Sequence, residues 1–281
     1  MKVYISVDME GIGGVATLDQ TVRGGHGYPR AQQLMTQETN AAIDGAFAGG
    51  ATDVLVSDSH GTMDNLIHEQ LDPRARLIFG TPRGFCMAEG LTDDFDLALF
   101  VGYHAPAGAV GVLAHTFSSH FTAVRVNGHD ASEASVNALF AATRGVPVGL
   151  VTGDDVICAL AEASLPGVST VAVKRSIGFS SAESMPPSLA CEAVRAGARS
   201  AVERSDPRKL LSIPSRLHVE FEMPNATAAE LASGIPGVVR SGDRTVGREV
   251  DSADELLGLV TVAYSLAHLG VVTRLGLLER R

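Results

Sequence analysis

Five residues with oxygen or nitrogen donors, Asp8, Glu10, His60, His104 and Glu133, carry the clearest chemical signal in this chain. Asp8 and Glu10 are spaced i, i+2, which in extended backbone turns both carboxylates to one face, where they can share a metal environment. Two carboxylates and two neutral imidazoles form the mixed set that suits zinc and also manganese or cobalt. Glu133 supplies enough further donors for two ions bridged by one carboxylate. No thiolate joins the set, which favours a catalytic site over a structural one.

The elements needed to gather these donors can be read from apolar runs. Val3 to Val7, Val54 to Val56, Leu97 to Val101 and Val146 to Val151 are short, bounded by polar or glycine-containing turns, and read as buried strands. The first runs into Asp8 and Glu10, the second into Asp58 and His60, the third into His104. In an open α/β sheet, sites assemble outside the carboxyl ends of strands, so three such ends converging would place these side chains in one crevice. Taken singly, an acidic residue just past a strand is ordinarily a turn former or helix cap, and a histidine there is ordinarily hydrogen-bonded or exposed. The weight of the reading rests on three strand ends carrying such residues together.

Between the first two strands, Met35, Ala42, Ile43, Ala46 and Phe47 fall on one face of a helix over Ala31 to Ala48, stopped by Gly49 and Gly50. Helices over Ala131 to Thr143 and Asp155 to Ala163 repeat the alternation, with another strand at Thr170 to Lys174. Glu133 falls in the first turn of the helix beginning near Ala131. Pro186 and Pro187 open a helix reaching about Glu203. The fold class expected is α/β, a mainly parallel helix-covered sheet with a smaller C-terminal α+β subdomain. The division falls at 205/206: a metal-binding catalytic domain over 1–205, then a subdomain over 206–281. The subdomain has a strand at Leu217 to Phe221, a helix near Thr227 to Ser233, a strand or hairpin from Val238 to Glu249 and a final apolar helix.

With 281 residues, 45% of them hydrophobic, the chain can bury a substantial core. Its 22 basic and 32 acidic residues give a net charge of −10 with no basic cluster, which argues against nucleic acid as a partner. Cys86, Cys158 and Cys191 are odd in number and widely spaced, as expected of a reducing cytoplasm. The amino-terminal apolar run is too short for a signal peptide and reads as a first strand. Leu256 to Thr273 approaches the length of a membrane span, but Thr261, Ser265 and His268 interrupt it. A buried terminal helix or a subunit-interface helix is the expectation, with no membrane partner.

Several stretches carry a resemblance to a known family. Ser6-Val7-Asp8-Met9-Glu10-Gly11, Ser57-Asp58-Ser59-His60 and Gly102-Tyr103-His104-Ala105 resemble three motifs of the zinc-dependent D-aminopeptidases of the DppA type. His115 and Glu133 fall where that family places its catalytic histidine and last metal ligand. Weaker similarity runs through Gly153-Asp154-Asp155, Ala172-Val173-Lys174 and Val219-Glu220-Phe221, so it spans most of the chain. The resemblance implies a dinuclear zinc aminopeptidase that cleaves the amino-terminal amide bond of short peptides, including D-amino-acid peptides. It implies that Asp8 bridges two zinc ions per subunit, Glu10 and His60 binding one and His104 and Glu133 the other. It implies His115 as the catalytic residue and a ring-shaped homodecamer whose sites face an internal cavity.

In such a site a bridging water has its pKa lowered from about 15.7 to about 7, and His115 is expected to protonate the leaving amine. Asp58 and Asp154 are read either as groups orienting a ligating imidazole or as caps. The remaining histidines carry no assigned role, although His120, close to His115, is a candidate for the pocket wall. Two competing functions are a metal-dependent phosphatase, with Gly11, Gly13 and Gly14 cradling an anion, and a non-catalytic metal- or peptide-binding protein. A purely structural shell protein is a third, and it leaves the ligand set unexplained.

Overall fold

Alternation of apolar strands with amphipathic helices builds one seven-stranded sheet and, beside it, a five-stranded one. The computed structural model describes residues 1–204 and 210–278. The expected boundary at 205/206 therefore lies outside the described residues. The strands are β1 (Lys2–Val7), β2 (Asp53–Asp58), β3 (Arg76–Ile78), β4 (Leu97–Tyr103), β5 (Ala123–Val126), β6 (His129–Asp130), β7 (Val148–Asp154), β8 (Ser169–Gly178), β9 (Ser181–Ser184), β10 (Leu217–Glu222), β11 (Val239–Arg240) and β12 (Thr245–Val250). The helices are α1 (Leu18–Thr21), α2 (Tyr28–Ala48), α3 (Glu133–Thr143), α4 (Asp155–Ser164), α5 (Pro187–Glu203), α6 (Ala226–Ala232) and α7 (Ala253–Leu278).

The larger sheet runs β3-β2-β1-β4-β7-β8-β9. Every pairing from β3 to β8 is parallel, and only the edge hairpin of β8 with β9 is antiparallel. The chain moves outward from β1 through β2 to β3, then returns to the other side of β1 with β4. β1 and β4 thus flank a topological switch point, where crevices open at the carboxyl ends of strands.

Period-two alternation sorts the side chains of β1 between two layers. Val3, Ile5 and Val7 join Val54, Val56, Leu97 and Leu99 in a core covered by α2 and α5. Tyr4 faces the opposite core, with Phe100, Phe140 and the residues of the smaller sheet. α2 and α5 pack closely because Gly45 sits between them, where a Cβ would come within 2.3 Å of the Arg195 carbonyl oxygen.

The smaller sheet runs β11-β12-β10-β5-β6 and is antiparallel throughout. Leu217, Val219 and Phe221 are buried at alternate positions of β10, the pattern of a sheet with one covered face. Two of its strands, β5 and β6, come from residues just before α3, so the segment leading into Glu133 is anchored on this sheet. α7 is long and apolar enough to cross a membrane by length and composition. In the structure Leu256, Val260, Ala263 and Ala267 form one buried face of it, while Val262, Leu269, Val272 and Leu275 are exposed.

Helix starts differ by a few residues from the apolar pattern. α2 begins at Tyr28, ahead of Ala31, because the Asp19 carboxylate accepts from the amides of His26 and Gly27 and fixes the turn before it, with Pro29 in its first turn. α3 begins at Glu133 because Ser132 caps it, its hydroxyl accepting from the Ser135 amide. The hairpin through β9 was not foreseen, since Ser181–Ser184 is polar and mostly exposed, with no apolar run to mark it.

Candidate active site

The three strand ends converge. β1 delivers Asp8 and Glu10, the turn after β2 delivers His60, the end of β4 delivers His104, and the first turn of α3 delivers Glu133. All five are buried. The Asp8 amide donates to the Val101 carbonyl at 2.8 Å and the Gly11 amide to the Gly102 carbonyl at 2.7 Å, so the segment after β1 is laced to β4. Gly102 has a φ of +70°, and a Cβ there would lie 2.2 Å from the Asp8 carbonyl oxygen. The left-handed backbone and the backbone collision act together. Gly102→Ala is therefore expected to cost about 3 kcal/mol or more and lower the melting temperature by at least about 5 °C. An unchanged thermal melt would contradict this close approach.

Hydrogen bonding fixes which ring nitrogen of each histidine faces the site. His60 Nε2 lies 2.8 Å from the Thr21 carbonyl oxygen. A carbonyl only accepts, so the proton sits on Nε2 and a neutral His60 presents the lone pair of Nδ1. That lone pair points at Glu10 Oε2, 2.8 Å away, and Asp8 Oδ1, 3.2 Å away. His104 repeats the device with its nitrogens exchanged. Nδ1 donates to the Ala105 carbonyl at 3.0 Å, and Nε2 is buried with no hydrogen-bond partner, 3.3 Å from both Asp8 Oδ2 and Glu133 Oε2.

Lone pairs facing carboxylate oxygens repel unless a cation or a proton lies between them. Burial opposes a charge on either ring, yet the carboxylates outweigh it: Glu10 and Asp8 raise His60, and Glu133 and Asp8 raise His104, well above the ordinary histidine pKa. Burial likewise opposes ionisation of Asp8, but the imidazoles of His104 and His60, once protonated toward it, bring its pKa down to about 2. Donors on one tetrahedral zinc, with bonds of about 2.1 Å, lie about 3.4 Å apart. The separations here, 2.8 to 3.3 Å, fit a cation in each half of the site. Donor atoms of Asp8, Glu10 and His104 gather within 4.8 Å of one another, as do those of His104, His115 and Glu133.

His115 stands beside this set. Its ring stacks on that of His104 with centroids 4.1 Å apart and planes inclined by 9°. Nδ1 donates to the Leu113 carbonyl at 2.9 Å, which leaves Nε2 as the basic nitrogen, 3.8 Å from Glu133 Oε1. The same Glu133 oxygen accepts from the Phe117 amide at 2.6 Å, tying the loop after His115 to α3.

Behind the donors, a chain of hydroxyls joins the elements that carry them. Ser6 Oγ meets Ser59 Oγ at 2.7 Å and the Tyr103 hydroxyl at 2.8 Å, and Asn137 Nδ2 donates to that hydroxyl at 2.9 Å. On the other side, the buried Lys174 ammonium donates to the carbonyls of Glu10, Ile12 and Val15, using all three of its protons to hold the loop after β1. Burial brings its pKa down to about 8. Thr21 acts through its backbone and Lys174 through its donors to backbone, so neither carries a side-chain signal of a site.

Asp58 and Asp154 prove to be organisers of backbone. Asp58 accepts from the amides of Asn65 and Leu66, and Asp154 caps α4 through the Ile157 amide while accepting from Val112. The two inward-facing imidazoles, of His60 and His104, are oriented by carbonyls instead. His26, His68 and His129 are exposed and His218 pairs with Glu249, whereas His120 and His268 meet in the cavity wall.

Asp8, Glu10, His60 and Glu133 open onto a cavity of about 590 Å³, with Leu18, Val22, Met63, Leu113, Phe117 and Phe179 among its apolar walls. A volume of that order accommodates a small ligand. The phosphatase alternative fails on the glycine loop. The Gly11 amide is committed to Gly102, that of Gly13 to Glu38 Oε1 at 2.8 Å and that of Gly14 to Ser184 Oγ at 2.8 Å, so no anion cradle remains.

The chain is similar to known proteins over most of its length. The family Peptidase M55, described as D-aminopeptidase, matches residues 1–262. A D-aminopeptidase of Bacillus subtilis (strain 168) is 39% identical over 247 residues, covering 88% of this chain and 90% of the relative. A solved structure, the zinc-dependent D-aminopeptidase DppA from Bacillus subtilis, described as a self-compartmentalizing protease, superposes with a TM-score of 0.92. It is 37% identical, and the match covers 95% of this chain and 98% of that one.

Proposed function

Since the chain belongs to the D-aminopeptidase family Peptidase M55, we propose that its five buried donors hold two zinc ions per subunit and that His115 serves the reaction as an acid. The protein is a zinc-dependent aminopeptidase that hydrolyses the amino-terminal amide bond of short peptides, with D-amino-acid peptides as the substrate class. The observation that carries the two-ion reading is the pair of lone-pair nitrogens, His60 Nδ1 and His104 Nε2, each facing a different oxygen of Asp8.

Asp8 would bridge, with Glu10 and His60 completing one position and His104 and Glu133 the other. Zinc held by these residues would supply a water of lowered pKa and polarisation of the scissile carbonyl. The carbonyls of Thr21 and Ala105 hold each imidazole in the tautomer that keeps its lone pair inward. Stacking on His104 and the bond to Leu113 hold His115 at the rim, where Nε2 can carry a proton to the leaving amine.

The reading extends to a ring-shaped homodecamer with inward-facing sites. The exposed apolar residues of α7 and the self-compartmentalizing description of the related structure support it. A cytoplasmic setting is supported by three free cysteines, two of them buried. Metal analysis of protein purified without chelator, combined with rates on paired D- and L-alanyl p-nitroanilides, tests the whole. Two zinc ions per chain and faster release from the D-substrate are expected. No turnover after zinc, manganese or cobalt is restored would instead leave a non-catalytic binding protein.

A further inference from the structure

The cavity contains one cluster that the metal site does not use. His120, on the loop after His115, and His268, on α7, bring Nε2 and Nδ1 to 3.2 Å of each other, and both rings line the same cavity as Asp8, Glu10, His60 and Glu133. Their ring centroids are 5.4 Å apart. The other charge-bearing groups on the wall are Asp8, Glu10, His60, His115 and Glu133; no Lys or Arg lines it among the described residues.

A short peptide brings a free carboxylate at the end opposite its amine. In a cavity with three carboxylates and no Arg or Lys, that group needs donors or a cation of its own. We propose that His120 and His268 form the subsite for the carboxyl-terminal carboxylate of a short peptide whose amino end lies at the metal donors. This inference rests on the peptidase reading above and adds the recognition of the peptide's other end.

Proton counting shows what the pair offers. The shared contact consumes one proton and one lone pair, so two neutral rings present one outward N–H and one outward lone pair in either tautomer. With one further proton from solvent, His120 Nδ1 and His268 Nε2 both become donors, and the pair gains a single positive charge. Two donors and one charge match one carboxylate. Burial and the neighbouring ring hold His120 below the ordinary histidine pKa, and an arriving anion favours its protonation. Ser118, Ser119 and Ser265 line the wall beside it and supply neutral hydroxyls. A peptide lacking the carboxylate leaves the pair's protonation without purpose, which makes the length of productive peptides a matter of reach between two fixed ends.

Steady-state kinetics of the zinc-loaded protein on D-alanylglycine and on D-alanine amide test the proposal. Both substrates present the same amino end, and only the first has a carboxylate. His120→Asn, and separately His268→Asn, is expected to lower the ratio of kcat/KM for the dipeptide over that for the amide about tenfold, through a higher KM for the dipeptide. A purely structural link between the loop and α7 would depress both substrates together and leave the ratio unchanged. An unchanged ratio in the His268 variant, which alters an exposed helix position, overturns the subsite even if the His120 variant folds poorly. Wild-type protein that cleaves neither substrate overturns the peptidase reading itself, and this inference with it.

Discussion

Asp8→Asn is expected to abolish zinc binding in at least one half of the site and to reduce peptide hydrolysis by a factor on the order of 10³ or more. The size follows from losing charge stabilisation worth several kcal/mol at the reacting carbonyl, with each 1.4 kcal/mol worth about tenfold. Asp8 is the natural point of attack because its two oxygens face different histidines, Oδ1 towards His60 and Oδ2 towards His104. Asparagine is nearly isosteric and can keep the contact that Asp8 Oδ1 makes with the Met9 amide, so the fold should survive. It cannot supply two anionic oxygens. Metal content measured by elemental analysis should fall by at least one ion per chain, alongside turnover. Full zinc occupancy in this variant would show that Asp8 does not bridge.

His115→Ala is expected to separate chemistry from metal binding. Turnover should fall by roughly 10² to 10⁴-fold, the range for loss of a positioned acid or base, while zinc stays at the wild-type level. The expectation comes from geometry: Nε2 of His115 is 3.8 Å from Glu133 Oε1, and the ring lies alongside His104 rather than across from it. His115, His104 and Glu133 nonetheless bring donor atoms within 4.8 Å of one another, so the competing role of third ligand is geometrically open. Zinc analysis decides between them. A variant that loses metal together with activity makes His115 a ligand, and one that keeps both has no catalytic role at this position.

The convergence of Asp8, Glu10, His60 and His104 was legible because they follow strand ends. Val3 to Val7, Val54 to Val56 and Leu97 to Val101 announce buried parallel strands, and the residues following them fall at one edge of any sheet those strands can form. Glu133 was harder, being on a helix, and was placed by the family resemblance and by its position in a first turn. The parallel core was legible for the same reason as the site, since buried parallel strands are written in continuous apolar runs. The smaller sheet reads from the sequence as a C-terminal feature, but β5 and β6 come from residues 123–130, and the pairing of β5 with β10 is a contact across some ninety residues that no local pattern records.

By itself, then, the sequence determined the side-chain types, the strands and the order in which donors would reach one crevice, because burial and alternation act over a few residues. Tertiary structure alone decided the tautomers. It placed the Thr21 carbonyl against His60 and the Ala105 carbonyl against His104, and a proton goes where an acceptor waits. It also decided that Lys174 would hold the loop after β1 and that α7 would bring His268 to His120. These are meetings between segments distant along the chain, fixed by how whole layers pack, and their energies appear only once that packing exists.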